Sequence, residues 1–189
     1  MERLRQAVNR SSKHFFVING FFFAKKAGVK NWTEERIESQ YFGMRDPFLE
    51  AAIEEAKIGL AEGGIPIGSV LVHQGQIIGR GHNMRVQKDD PLLHGEMSAF
   101  QNAGRLPASI YRECTLYTTL SPCPMCSGTI LLYKIPKIVI GENITFQGAE
   151  RWLKSEGVEL EVVQDEECIA LMRDFIARRP ELWHEDIAV

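Results

Sequence analysis

The stretch CTLYTTLSPCPMC, Cys114 to Cys126, narrows most sharply what this chain can fold into. Cys114 to Leu120 is rich in β-branched and aromatic residues, which favour a strand. Ser121-Pro122 interrupts it, and a short helix is expected from about Cys123 through Ile130, Leu131 and Tyr133 to the break at Pro136. A strand running almost directly into a helix commits the chain to a sheet covered by helices. Cys123 and Cys126, three apart in a first helical turn, carry both sulfurs to one side. The positive end of that helix favours thiolate over thiol. Taken alone, the pair fits a disulfide, a redox dithiol, a structural zinc knuckle or half of a catalytic metal site.

The flanking sequence supplies the rest of the sheet. Asp46-Pro47 reads as an N-cap with proline at the first helical position, followed by Phe48, Leu49, Ala52, Ile53, Ala56 and Leu60 at helical spacing. Gly63-Gly64 stops that helix. IGSVLVHQGQIIGRG is a hairpin turning at His73-Gln74-Gly75-Gln76, and a helix carrying HGEMSAFQNAG starts near Leu93. KIVIGEN is a strand, Gly148 to Lys154 a short helix, VELEVV a strand and Asp165 to Arg178 an amphipathic helix with Ile169, Met172, Phe175 and Ile176 on its apolar side. The order predicts an α/β fold with a mixed sheet and helices on both faces.

Bulk properties narrow the class of partner. The length suits one domain with a full core plus some excess. Four cysteines in 189 residues do not make a disulfide scaffold, which favours a cytoplasmic setting, with a nuclear pool also open. No apolar run reaches the ~18 residues a membrane span needs. Net charge is −3, but residues 1–45 hold nine Lys/Arg against four Asp/Glu, leaving 13 against 21 in residues 46–189. An acidic domain is a poor polyanion surface, so the expected partner is a small molecule rather than nucleic acid. Residues 1–45 read as an N-terminal extension distinct from the domain at 46–189. Arg3 to Thr33 contains no acid, which suits either a targeting segment or a poorly structured extension.

A metal site needs a third ligand beyond the two thiolates, and the candidates are His14, His73, His82, His94 and His184. His94 stands out because Glu96 follows two residues later at the start of another helix. His94, Cys123 and Cys126 form a three-ligand zinc set with a fourth position open for water. Glu96 is then free to move protons. Cys114 and Cys168 lie on an expected strand and a late helix and read as packed thiols. H-x-E with P-C-x-x-C is the signature of zinc nucleobase deaminases, here His94-Gly95-Glu96 and Pro122-Cys123-Pro124-Met125-Cys126.

The chain also resembles the fungal-type cytosine deaminases of the cytidine deaminase-like superfamily. The likeness is carried by EGGIPIGSVL, GRGHNMR, LHGE, GRLP, TLYTTLSPC, GEN and RRPELWHEDI, and covers about Asp46 to Ile187. It implies a three-layer α/β/α fold with a mixed five-stranded sheet, a homodimer with one zinc per subunit, and hydrolysis of cytosine to uracil and ammonia in pyrimidine salvage. It also implies site roles. Glu96 is the proton shuttle, while Asn83 and the Gly95 N–H hold the polar edge of the base. Phe146 and Trp183 flank the ring as an aromatic sandwich, and Asp186 contacts substrate and supports His94. Ser121 either orients the cysteine loop or caps the helix. The C-terminal segment folding over the site favours a free base over a nucleoside. Pro124 departs from the Asp of the family pattern, which leaves isocytosine, creatinine or guanine open as the ring deaminated. A tRNA adenosine deaminase fits the acidic domain less well.

Overall fold

The computed structural model describes residues 15–18, 21–24 and 45–189, and the chain divides into two units, Met1–Met44 and Arg45–Val189. In the first unit, β1 (Phe15–Ile18) and β2 (Phe21–Ala24) pair antiparallel, with Ile18 opposite Phe21. The remaining residues of the acid-poor stretch, and with them the targeting reading, lie outside the described residues.

The second unit begins with Arg45, whose guanidinium bonds Asp165, Glu50 and Glu167 at 2.6–3.2 Å. Helix α1 (Pro47–Ala61) opens as its sequence requires: the Asp46 carboxylate accepts the Phe48 N–H at 2.8 Å and Pro47 occupies the first turn. The hairpin of β3 (Gly68–His73) and β4 (Gln76–His82) turns through Gln74 and Gly75, both at positive φ (48° and 75°). Such a two-residue turn matches the twist of the strands it joins. β5 (Cys114–Leu120), β6 (Lys137–Glu142) and β7 (Glu159–Val162) complete a five-stranded sheet in the order β4-β3-β5-β6-β7. β3 is antiparallel to both β4 and β5, and β6 is parallel to β5 and β7. Four strands therefore run one way and end at one edge, with β3 starting there.

Alternation along the strands divides the core into two faces. Leu71, Leu116, Ile138 and Ile140 pack with Phe100 of α3 (Gly95–Ala103), Ile130 of α5 (Pro124–Tyr133) and Leu153 of α6 (Glu150–Ser155). Val70, Val72, Tyr117 and Val139 pack with Leu49, Ala52 and Ile53 of α1 and Cys168 of α7 (Glu166–Arg178). The result is the three-layer α/β/α arrangement with a mixed five-stranded sheet. A third cluster, at the edge where four strands end, joins Ile65, Ile67 and Leu120 to Met172, Phe175 and Trp183.

Four helices depart from the sequence expectation. α2 (Arg85–Lys88) and α4 (Ala108–Tyr111) are single turns, too short to show a period. The segment after Arg178, read above only as folding over the site, is a helix, α8 (Pro180–Asp186), with Pro180 in its first turn. α3 also starts at Gly95 rather than near Leu93. No helix among the described residues is long and apolar enough to cross a membrane.

Candidate active site

Two helix starts converge on the edge where four strands end. His94 is the N-cap of α3 and Cys123 the N-cap of α5, each in extended backbone without a side-chain cap bond. Each residue's own carbonyl takes the first helical bond, from Ser98 and Ser127 at 2.9 and 2.8 Å. Both side chains are thus released toward the space between the helices, where Cys126 enters from the first turn of α5.

The His94 Nδ1, Cys123 Sγ and Cys126 Sγ donors lie within 4.8 Å of one another, with His94 Nδ1 to Cys123 Sγ at 3.5 Å. Among the described residues no other such group of His, Cys, Asp and Glu forms. All four cysteines are free thiols, and Cys114 and Cys168 are buried in the core as expected. Three nitrogen and sulfur donors, reduced and partly dry, suit zinc in a catalytic rather than a closed structural set.

Burial and neighbouring groups set the protonation of each ligand differently. The Cys123 thiol is held down at about 4, first by a hydrogen bond from Cys126, against burial, and then by His94. Cys126 keeps its proton far more tightly, through its bond to Cys123 and its burial. Burial alone would lower the His94 imidazole, but Cys123, Asp186 and Glu96 outweigh it and lift it to about 9. Glu96, 4 % exposed, is pushed up to about 7, chiefly by burial and next by the Cys123 charge. A carboxyl balanced near neutrality can both accept and give a proton.

Around this centre the structure gathers the other residues named above. Asn83 follows β4 and is fully buried. Its backbone N–H donates to the Ile67 carbonyl at 2.8 Å. Its side-chain oxygen accepts the Arg85 N–H at 3.0 Å, the local bond of a turn residue. Its amide nitrogen donates to Asp186 Oδ1 at 2.8 Å. Asp186, at the end of α8, is 3 % exposed in its side chain and lies 3.6 Å from His94 Nε2, the ring nitrogen turned away from Cys123. Burial raises its carboxyl above the usual range, against the pull of His94 and Asn83. Gly95 sits so close to the Ile67 carbonyl that a Cβ would come within 2.9 Å of it.

One expectation changes and one open alternative narrows. Phe146 and Trp183 meet edge to face, centroids 5.6 Å apart and planes at 86°, because both fill the cluster beneath α8. Here they do not present the two parallel faces of a sandwich. Ser121 is not the helix cap, which is Cys123. Its hydroxyl donates to Glu150 at 2.9 Å and accepts the Gly148 N–H at 3.0 Å, so it orients the cysteine loop. Pro124 is exposed at the first position of α5, where a fixed φ suits the helix. Sequence reasoning missed Arg85, whose guanidinium lies 3.8 Å from Glu185, and the buried Glu142 and Glu150. GEN, which contains Glu142, was the one signal pointing there.

Comparison with known proteins follows the same lines. The model of the cytidine and deoxycytidylate deaminase zinc-binding region matches residues 44–142. Cytosine deaminase of Candida albicans is 52% identical over 140 residues, 74% of this chain and 93% of that protein. A tRNA-specific adenosine deaminase of Streptococcus pyogenes is 42% identical over 106 residues, 54% of this chain and 66% of that one. A structure from work on A-to-I editing by tRNA:A34 deaminases superposes with a TM-score of 0.57 at 27% identity, covering 67% of this chain and 99% of that one. The chain belongs to the zinc-binding cytidine and deoxycytidylate deaminase family.

Proposed function

We propose that the protein hydrolyses free cytosine to uracil and ammonia. The observation that carries this reading is the position of Asp186. The α8 helix brings its buried carboxylate against Asn83 and beside His94, so the chain itself covers this side of the site, which favours a small free base over a nucleoside or a polynucleotide. The identity to Candida albicans cytosine deaminase across 93% of that protein supports the same substrate.

Held by His94, Cys123 and Cys126, zinc supplies Lewis acidity that brings the pKa of a water from 15.7 toward ~7. The protein's own groups do the remaining work. Asn83 and the Gly95 N–H orient the ring. Glu96 takes a proton from the water attacking C4 and passes it to N3. It then carries the second proton to the amino group, and the C4–N bond breaks to release ammonia. Asp186 fixes the His94 ring by facing Nε2, leaving Nδ1 for the metal.

An ammonia-release screen of the purified protein tests the substrate, using cytosine, isocytosine, guanine, adenine, creatinine, cytidine and tRNA. Cytosine is expected to give the highest kcat/KM. A response confined to cytidine or tRNA overturns the closed-site argument.

The reading extends to a cytoplasmic homodimer in pyrimidine salvage, its uracil product entering nucleotide synthesis. Support for the dimer comes from apolar side chains left in solvent on α5 and α6, Leu132 at 73 % and Trp152 at 44 % exposure. Imaging of a fluorescent fusion checks the compartment.

A further inference from the structure

Two buried carboxylates near the centre have no part in the chemistry above, and one of them links its two halves. Glu150 opens α6 and is 4 % exposed. A single oxygen, Oε1, accepts from Ser121 Oγ at 2.9 Å and from Asn143 Nδ2 at 2.9 Å. These donors sit on different segments: Ser121 leaves β5 toward the cysteines, and Asn143 leaves β6 toward Phe146.

The bonds around Glu150 fix both segments. Ser121 Oγ accepts the Gly148 N–H at 3.0 Å, so its one proton is committed to Glu150. The Ser121 N–H donates to the Glu142 carbonyl at 3.0 Å, and the Ala149 N–H to the Pro122 carbonyl at 2.9 Å. Gly148 passes so near that a Cβ there would meet the Pro122 oxygen at 2.0 Å. Asn143 is held from its other end by Gln164, which donates to Oδ1 at 2.6 Å. The loop carrying Phe146 and the loop carrying Cys123 are thus joined through one carboxylate. Phe146 in turn rests on Trp183 of α8.

We propose that Glu150 is a positioning residue that couples the thiolate loop to the aromatic wall of the base site. It touches neither metal nor substrate. It sets the Ser121–Cys123 backbone, hence the aim of the sulfurs, and the same bond network sets Phe146. Loss of the carboxylate therefore weakens metal retention and base binding together, and loss of the Ser121 hydroxyl does the same from the other side.

The test has two arms, and only the second rests on the cytosine reading. In the first, the zinc-loaded protein is mixed with a chromophoric chelator and the rate of zinc release is followed. Glu150→Ala and Ser121→Ala are expected to release zinc ~10-fold faster than the unaltered protein, the lower end of the effect for groups that orient metal ligands. Glu150→Gln, which keeps an acceptor oxygen in the same place, is expected to stay within about threefold. Leu153→Ala, in the same helix but facing the core, lowers the melting temperature and leaves release unchanged. In the second arm, KM for cytosine rises in Glu150→Ala by more than kcat falls. Should Glu150→Ala not fold, Ser121→Ala carries both arms. Release at the unaltered rate in the Ala variants, or equal acceleration in Leu153→Ala, overturns the proposal. Faster zinc release with no cytosine turnover in any variant, the unaltered protein included, supports the coupling and sinks the substrate reading instead.

Discussion

At the scale of single residues, the site separates tasks among groups that differ in burial more than in kind. Glu96 and Asp186 are both buried carboxylates, yet Glu96 lies against the thiol pair and Asp186 against an imidazole and an amide. The first environment suits proton transfer, the second a fixed charge behind His94. Glu96→Gln is expected to keep about one zinc per chain by metal analysis while kcat drops by ~10²–10⁴-fold. Activity equal to the unaltered protein sinks the shuttle role. The ligands also predict how metal uptake by the stripped protein depends on pH. His94 holds a proton up to about 9 and Cys126 above its usual range, whereas Cys123 is already thiolate above about 4. The metal must displace protons from His94 and Cys126, so apparent affinity rises with pH from neutrality toward about 9. Calorimetry in buffers of different ionisation enthalpy should show release of about two protons per zinc at neutral pH. These ligands were legible in the sequence because each half-motif spans no more than five residues at a helix start. The bond from Ser121 to Glu150 was not, since a contact between positions 29 apart leaves no period or spacing to read.

At the scale of elements, legibility followed length. β5 and the hairpin of β3 and β4 matched their expected ranges, because alternation and a turn with a glycine define them locally. The single-turn helices α2 and α4 carry no such pattern, and α8 hid its helix behind Arg-Arg-Pro and a run of charges. What makes α8 a helix is packing: Trp183 is 5 % exposed and sits with Met172, Phe175 and Ile67. Deleting residues 180–189 removes that cover and Asp186 while leaving all three zinc ligands. Stability should fall by about 3 kcal/mol in denaturant unfolding, as for removal of one large buried aromatic. Cytosine kcat/KM should fall by ~10²-fold from lost positioning. Full activity in the truncated chain would remove α8 from the site.

At the scale of the whole molecule, the sheet's mixed pairing decides where chemistry sits. Because β4, β5, β6 and β7 all end at one edge, the loops bearing Asn83, Cys123 and Phe146 emerge together, where open α/β sheets bind their ligands. The outward surface of α5 and α6 keeps Leu132 and Trp152 in water. If that surface pairs two copies, Leu132→Glu should shift the protein from dimer to monomer in light scattering after size exclusion. A monomer before substitution refutes the dimer. The acidic excess in residues 46–189, 13 basic against 21 acidic, makes weak affinity for polyanions the expected background in either state.

The seat of Asp186 on α8 also sets an order in time. Synthesis runs from the N-terminus, so His94, Cys123 and Cys126 leave the ribosome well before the carboxylate that steadies the histidine. At roughly 5–20 residues per second the stretch from Cys126 to Asp186 takes several seconds to appear. During that interval β6, β7 and α7 are also still to come, so the sheet edge that aims the three ligands is itself unfinished. Because a domain generally folds as a unit, the three ligands, the sheet edge that aims them and the helix that steadies His94 come together in one late step.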